Sequence, residues 1–251
     1  MRAHGLALAL LFAVSPAMAD NLVAGLSQDQ IQITSSYTGT ELIVFGAIEN
    51  SNTDTPASLP DVVVVIRGPA LDMTMRRKVR VAGVWINRDA LTLYGMPGYY
   101  FVGSGRAIKD VAPEEIRERY QLDLADVEPT STSTHTPSKA EPYRAAAIRS
   151  RTRDGLYEEN PLAVEQLGAS LFRVRVPIPA SVPRGEYTAN VYLLRDGMVI
   201  GAQATFLDVQ QTGIERKIFT FAHQDALLYG LIAVLLAVTV GWLSSVLFRR
   251  Q

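Results

Sequence analysis

Alternating polar and apolar positions predict a β-rich domain over most of the chain. Residues 30–34 alternate strictly, as expected of a strand with one buried face. Residues 41–48 form a nearly continuous apolar strand. The β-branched run at 62–66 indicates a well-buried central strand.

Further along the chain, shorter apolar segments extend this pattern. Residues 186–194 and 198–209 flank Arg195-Asp196-Gly197, a strong hairpin signal. Additional short strands are predicted at 73–79, 81–87, 91–94, 99–102 and 171–176. We therefore predict a mainly β fold, an immunoglobulin-like sandwich of about nine strands. Two separate small domains are the alternative, although three late strands alone could hardly form a stable core.

A helical insertion is predicted within this sandwich, near residues 107–160. Pro113 stands at a first helical position and is followed by acidic residues, both of which favour a helix start. Residues 142–154 form a second predicted helix, with Gly155 as its C-terminal cap. Residues 128–138 are rich in Ser, Thr and Pro and lack an apolar period, so we expect a flexible loop there.

The C-terminal part of the chain predicts one transmembrane helix. Residues 226–248 contain no ionisable side chain. A helix of this length extends about 34 Å, enough for a hydrocarbon core of about 30 Å. Arg249 and Arg250 follow at once, and positive charge next to a span favours the cytoplasmic side. We expect residues 213–225 to be juxtamembrane and residues 249–251 to be a cytoplasmic tail.

The N-terminal end predicts a cleavable signal peptide over residues 1–19. Arg2 precedes an apolar run at 6–14, and a small-residue pattern ends at Ala19. An uncleaved amphipathic anchor is the alternative. Export implies that residues 20–212 form a periplasmic domain of a bacterial inner-membrane protein, with the C-terminus in the cytoplasm.

Composition argues against an enzyme, a metal site and a cofactor site. The chain has no cysteine, which excludes thiolate nucleophiles and zinc-thiolate centres. Its three histidines are His4 in the signal peptide, His135 in the predicted loop and His223 beside the membrane. A net charge of −1 gives no indication of nucleic-acid binding.

Two basic clusters are candidate anion sites, because guanidinium groups bind oxyanions in a bidentate fork. The first consists of Arg76, Arg77, Lys78 and Arg80, and the second of Arg144, Arg149, Arg151 and Arg153. Solvated faces of an edge strand and a helix are the alternative explanation, since edge strands often carry charge that blocks aggregation.

Small residues recur along the predicted transmembrane helix. They are Gly230, Ala233, Ala237, Gly241 and Ser245. Small side chains allow a second helix to approach closely, so we expect contact with a partner helix. That partner is either a second copy of the chain or a neighbouring membrane protein.

Several segments of the chain form a recognisable set: Gly25-Leu26-Ser27 with Ile31 and Ile33, Val81-Ala82-Gly83-Val84-Trp85-Ile86-Asn87, Pro97-Gly98-Tyr99-Tyr100-Phe101, Val182-Pro183-Arg184-Gly185-Glu186-Tyr187-Thr188, Tyr192-Leu193-Leu194-Arg195-Asp196-Gly197 and Leu228-Tyr229-Gly230. Together these segments resemble the alphaproteobacterial transmembrane protein family. The resemblance implies the same topology and no established activity. It also implies an association with sulfite-exporter-like multispanning permeases.

These observations lead to two hypotheses of different classes. The first is a non-enzymatic accessory or interaction module for a membrane partner, with an anion permease as the specific candidate. The second is a periplasmic domain that binds or senses a small oxyanion through the Arg76, Arg77, Lys78 and Arg80 cluster.

Overall fold

The computed structural model describes residues 21–34, 37–49, 59–134, 136–168, 170–211 and 221–248. The predictions for the signal peptide, the cytoplasmic tail, His135 and residues 213–220 lie outside this part of the chain. Within it, thirteen strands form three sheets, more strands than the nine expected from sequence.

The first of the two layers of the sandwich is an antiparallel sheet of four strands. In spatial order they are β1 (Asn21–Leu26), β3 (Gly39–Glu49), β11 (Leu171–Pro179) and β10 (Val164–Gln166). The predicted alternation of β11 is observed: Phe172, Val174 and Val176 are buried, and the residues between them are not.

The facing layer is a mixed sheet of six strands. In spatial order they are β2 (Gln30–Ile33), β13 (Met198–Gln211), β12 (Gly185–Arg195), β4 (Asp61–Arg67), β7 (Tyr100–Ser104) and β9 (Tyr157–Asn160). The two outermost pairs, β2 with β13 and β7 with β9, are parallel, and the inner pairs are antiparallel. The predicted hairpin around Asp196-Gly197 joins β12 and β13.

Early and late strands share both layers, since β11 lies beside β3 and β12 lies beside β4. Buried residues from both sheets form one hydrophobic core. The late strands therefore complete layers that the early strands begin. The immunoglobulin-like connectivity remains a prediction.

A third sheet stands apart from the two layers. It contains β5 (Ala70–Val81), β6 (Val84–Pro97) and the two-residue β8 (Ser131–Thr132). The separate short strands predicted between residues 73 and 94 are thus two long strands of a single hairpin. Its turn lies at Ala82 and Gly83.

The predicted helical insertion lies between β7 and β9. It contains α1 (Ile108–Val111), α2 (Glu114–Tyr120), a 3₁₀ turn (Leu124–Asp126) and α3 (Pro137–Arg153). Pro113 is the N-cap of α2, and Gly155 follows the α3 C-cap with φ of +70°. The expectation of a loop over 128–138 was wrong in part: β8 pairs with β6 there, and α3 begins at Pro137.

The insertion covers the outer face of the six-stranded sheet, which explains why β4 is buried on both faces. Arg67 ends β4, and its guanidinium donates to the carbonyl of Tyr120 at 2.7 Å. Tyr120 also packs against Tyr192 of β12, with ring centroids 5.3 Å apart. A run of β-branched residues fits a strand with no solvent-exposed face.

The C-terminal helix α4 spans Ala226–Phe248, the bounds predicted from sequence. Among the described residues it is the one helix long and apolar enough to cross a membrane. Every described side chain from residue 226 to residue 245 is exposed. An apolar helix that the protein itself leaves uncovered is suited to a lipid environment.

Candidate functional site

The β5–β6 hairpin is the most prominent exposed feature of the domain. Residues 76–90 are exposed, apart from the half-buried Val79. Ala82 and Gly83 have φ of +50° and +86°, and a type I′ turn requires positive φ at both central positions. Asp89, with φ of +54°, lies where the register shifts between Arg76 and Arg77. A tight turn and a bulge therefore shape the hairpin.

The tip of this hairpin is apolar although it faces solvent. Val84 and Trp85 are 64% and 65% exposed, and Val81 and Ile86 are also exposed. The register pairs Val81 with Val84 and places Ile86 opposite Val79, so these aliphatic side chains share one face. Trp85 lies opposite Arg80, on the other face.

The first predicted cation cluster lies along the same hairpin. Alternation along β5 places Arg76, Lys78 and Arg80 on one face, and Arg77 on the other. Arg77 contacts Asp89 at 3.3 Å in an exposed ion pair. The four side chains line an exposed strand and do not converge on a cavity wall, so the hairpin presents a cationic surface.

Three buried tyrosines fix the root of the hairpin to the sandwich. Tyr157 donates its hydroxyl hydrogen bond to the carbonyl of Pro97, the last residue of β6, at 2.6 Å. Tyr99 donates to the carbonyl of Pro177 in β11 and Tyr187 donates to the carbonyl of Pro183, both at 2.6 Å, and the two rings lie 5.9 Å apart. Burial raises the pKa of all three hydroxyls, so they remain protonated donors.

The second predicted cation cluster separates in the structure. Arg144 forms a bidentate pair with Glu141 at 2.8 and 2.9 Å, and also donates to the carbonyls of Ala125 and Val127. Its guanidinium therefore joins α3 to the 3₁₀ turn. Arg149 and Arg153 are exposed further along α3, and Arg151 is half-buried.

A group of carboxylates beneath α2 was missed by sequence reasoning. Asp123 is buried, accepts from the amide of Ala125 at 2.9 Å and pairs with Arg117 at 3.2 Å. Burial, together with the charge of Asp123, raises the pKa of Asp126 and of Glu159. The adjacent acids Glu158 and Glu159 of β9 are both half-buried. The one local signal in the sequence for this group is Asp123, a residue type that favours the N-cap position that it occupies before the 3₁₀ turn.

A cleft beside α1 offers little chemistry. It has a volume of about 390 Å³ and lies between α1 and the β12–β13 turn. Asp61 and Arg106 line it and form an ion pair at 2.6 Å. Within the described residues, no three His, Cys, Asp or Glu side chains are grouped so as to hold a metal ion.

A second exposed apolar patch lies on the outer face of the four-stranded sheet. Val23, Phe45 and Leu171 are each about half or more exposed. Val23 and Leu171 both lie opposite Ala47, on the strands either side of β3, so the three side chains form one patch.

The predicted small residues of α4 are accessible. A side chain added at Gly230 or Gly241 would meet no atom within 4 Å apart from its chain neighbours and the adjoining backbone of its own helix. The alanines and Ser245 between and beyond them are exposed as well.

Residues 21–250 match the profile of the family described as "Putative transmembrane protein (Alph_Pro_TM)". The chain belongs to this family. Membership agrees with the apolar α4 and establishes a single-pass membrane protein with a β-rich domain.

Other comparisons add little to the family assignment. The solved structure of the sporulation control protein Spo0M from Bacillus subtilis is similar over 83% of this chain, with 9% sequence identity and a TM-score of 0.30. The similar region spans 56% of the Spo0M chain. No curated protein matches the sequence.

Proposed function

We propose that this family member is a non-enzymatic accessory module for a membrane partner. In this proposal α4 anchors the protein in the bacterial inner membrane, with the β-rich domain in the periplasm and the C-terminus in the cytoplasm. The partner is a multispanning membrane protein, and an anion permease is the specific candidate.

The carrying observation is the uncovered small-residue face of α4. At about 100° per residue, Gly230, Ala233, Ala237, Gly241 and Ser245 fall within about 120° of the helix circumference. They extend over about 22 Å, which is most of a hydrocarbon core. Backbones can approach closely along such a face, and packing of this kind drives helix association in lipid.

The exposed patch of Val23, Phe45 and Leu171 supports a second contact outside the membrane. Single exposed apolar residues are common on soluble domains, but three on neighbouring strands form a continuous surface. A partner held by α4 would remain at high effective concentration beside this patch, so even a small contact area could be occupied.

The orientation in this proposal follows from the residues that flank the span. Arg249 and Arg250 come directly after α4, and an excess of positive charge favours the cytoplasmic side. The apolar run at residues 6–14 supports export of the segment that follows.

The oxyanion-binding alternative receives less support. A selective anion site needs convergent donors that are held in place. Arg76, Lys78 and Arg80 are spread along one exposed face of β5, and Arg77 points to the other. Titration calorimetry of the full chain with sulfite, sulfate and phosphate would measure such binding directly.

Site-specific photocrosslinking tests the accessory proposal. A photoreactive residue at Ala237 reports on the small-residue face, and one at Ile232 reports on the opposite side of α4. We expect a crosslink to a multispanning protein from position 237 and none from position 232. Mass spectrometry of the product identifies the partner.

Packing variants provide the matched comparison. Gly241→Leu should abolish the crosslink by keeping the helices apart, whereas Ile232→Leu should leave it unchanged. A product of twice the chain's own mass would indicate a homodimer, and absence of any product would indicate a monomer. Either result would contradict the accessory role.

A further inference from the structure

We propose that the tip of the β5–β6 hairpin binds the surface of a bilayer containing anionic phospholipids. In this arrangement Trp85 and the aliphatic residues Val81, Val84 and Ile86 enter the interfacial region. The arginine and lysine side chains beside them bind lipid phosphates. The inference goes beyond the proposed function, since it requires the membrane anchor but no partner protein.

The charge of the hairpin determines what kind of surface it can approach. Residues 76–90 contain five basic side chains and one acidic side chain, Asp89, in a chain whose net charge is −1. The basic residues are Arg76, Arg77, Lys78, Arg80 and Arg88. This local excess of positive charge complements a negatively charged surface.

The apolar tip favours a lipid surface over a free anion as the ligand of the hairpin. A dissolved phosphate would neutralise Arg80 or Lys78 but would leave Trp85 in water. A bilayer interface can accommodate both groups: indole rings are enriched at headgroup depth, and basic side chains can reach the phosphates above them. Trp85 lies directly opposite Arg80, so a single contact can satisfy both.

The root of the hairpin lies at the end of the sandwich from which the chain continues to α4. Pro69, just before β5, lies beside Gly185. A side chain added at position 185 would lie 3.1 Å from the Pro69 ring. Gly185 pairs directly with Val209 near the end of β13. The hairpin and the connection to the anchor therefore start from neighbouring points.

Chain lengths put the bilayer within reach of the tip. Sixteen residues separate Val209 from Ala226, and they can span at most about 55 Å. The twelve residues of β5 extend about 40 Å. The tyrosine hydrogen bonds at Pro97 and its neighbours fix the root, so the tip is presented without ordering a loop. Tethering of this kind raises the effective concentration of the surface.

Tryptophan fluorescence can test the proposal in the full chain. The protein has two tryptophans, so Trp242→Phe leaves Trp85 as the single reporter. The protein is placed in nanodiscs of brominated phosphatidylcholine, with or without brominated phosphatidylglycerol. We expect a blue shift and quenching of Trp85 in the anionic discs, with loss of both at high salt.

Two variants distinguish binding of the hairpin tip to lipid from mere closeness of the whole domain to the bilayer. Replacing Arg76, Arg77, Lys78 and Arg80 with glutamine, with Trp85 retained, should reduce quenching to the level of the zwitterionic discs. A reporter moved to the other patch, with Phe45→Trp and with Trp85 and Trp242 replaced by Phe, should remain unquenched.

Three outcomes would overturn the proposal. The first is a water-like emission of Trp85 in anionic discs. The second is equal quenching of the Phe45→Trp reporter, which would mean that the whole domain lies on the surface. The third is a blue-shifted Trp85 that brominated lipid does not quench, since this indicates burial against protein, including a second copy.

Discussion

The side chain of Gln203 pairs with the backbone of Ala24 as though it were a peptide group. The amide of Ala24 donates to Oε1 at 2.7 Å, and Nε2 donates to the carbonyl of Ala24 at 2.9 Å. Gln203 belongs to β13 in the six-stranded sheet, whereas Ala24 belongs to β1 in the four-stranded sheet. One side chain therefore joins β1, an edge strand of the four-stranded sheet, to β13 of the other sheet, and it satisfies backbone groups that would otherwise lack protein partners.

Removing this link should destabilise the domain. Gln203→Ala leaves a partly buried donor and acceptor of Ala24 without protein partners, and we expect a loss of about 1–3 kcal/mol in the free energy of unfolding. Urea unfolding of the full chain in mild detergent measures this loss. Hydrogen exchange at the amide of Ala24 should accelerate.

Two variants show whether hydrogen bonding is the cause. Gln203→Glu can accept from the amide of Ala24 but cannot donate to its carbonyl, so an intermediate loss is expected. Gln166→Ala removes the same type of side chain from an exposed position of β10 and should change stability by less than about 0.5 kcal/mol. A similar loss for Gln166→Ala would contradict the assignment.

Gly46 is required by the close approach of Phe172 within the core. A side chain added at position 46 would lie 2.5 Å from the Phe172 ring and 2.7 Å from the carbonyl oxygen of Val23. We expect Gly46→Ala to destabilise the protein by about 1–3 kcal/mol, as overpacking does.

The double variant provides the check for this prediction. Phe172→Leu creates space, so Gly46→Ala should cost less in that background, although the contact with the carbonyl of Val23 persists. Equal costs in both backgrounds would show that the ring is not the obstacle.

Arg144 should act through the geometry of its guanidinium. Arg144→Lys keeps the charge but loses the fork that binds Glu141 and the carbonyls of Ala125 and Val127. We expect a loss of about 1–3 kcal/mol and faster hydrogen exchange in the 3₁₀ turn. Arg149→Lys on the exposed side of α3 is the matched control, and an equal effect there would refute the bridging role.

Local patterns in the sequence were sufficient for the elements with strong local signals. The β-branched run of β4, the Asp196-Gly197 turn and the uncharged stretch of α4 each specify their own structure over a few residues. The structure adds the pairing partners. Gln30 and Asp208 are neighbours in a parallel ladder although they are far apart in the chain, and no local pattern encodes that contact.

Burial was the weaker part of the sequence-based predictions. Alternation predicted strands around Val84 and Ile86 but could not show that the hairpin extends away from the core. An apolar residue in a strand is buried only if another layer covers it. The same limit applies to Glu159, whose partial burial depends on the insertion that folds over it.

The stability of the domain should depend on pH through Glu159. Burial and the charge of Asp123 raise its pKa above the ordinary value of 4.5, and a hydrogen bond from Leu124 only partly offsets this. The folded state therefore favours the protonated form. The stabilising contribution of protonated Glu159 is complete below pH 4.5 and is lost as the pH rises through the folded-state pKa.

Glu159→Gln imitates the protonated form at every pH, and this sets the expected direction. The variant should be more stable than the parent at pH 7.5, by less than about 1 kcal/mol because the site is half-exposed, and equal to it near pH 4. Glu141→Gln should show the opposite sign, because Arg144 lowers the pKa of Glu141. Its loss of stability should be present above pH 4.5 and should fade as the pH falls through the folded-state pKa. Urea unfolding across pH 3–8 measures both, and a pH-independent difference for Glu159→Gln would show that the carboxylate is fully solvated.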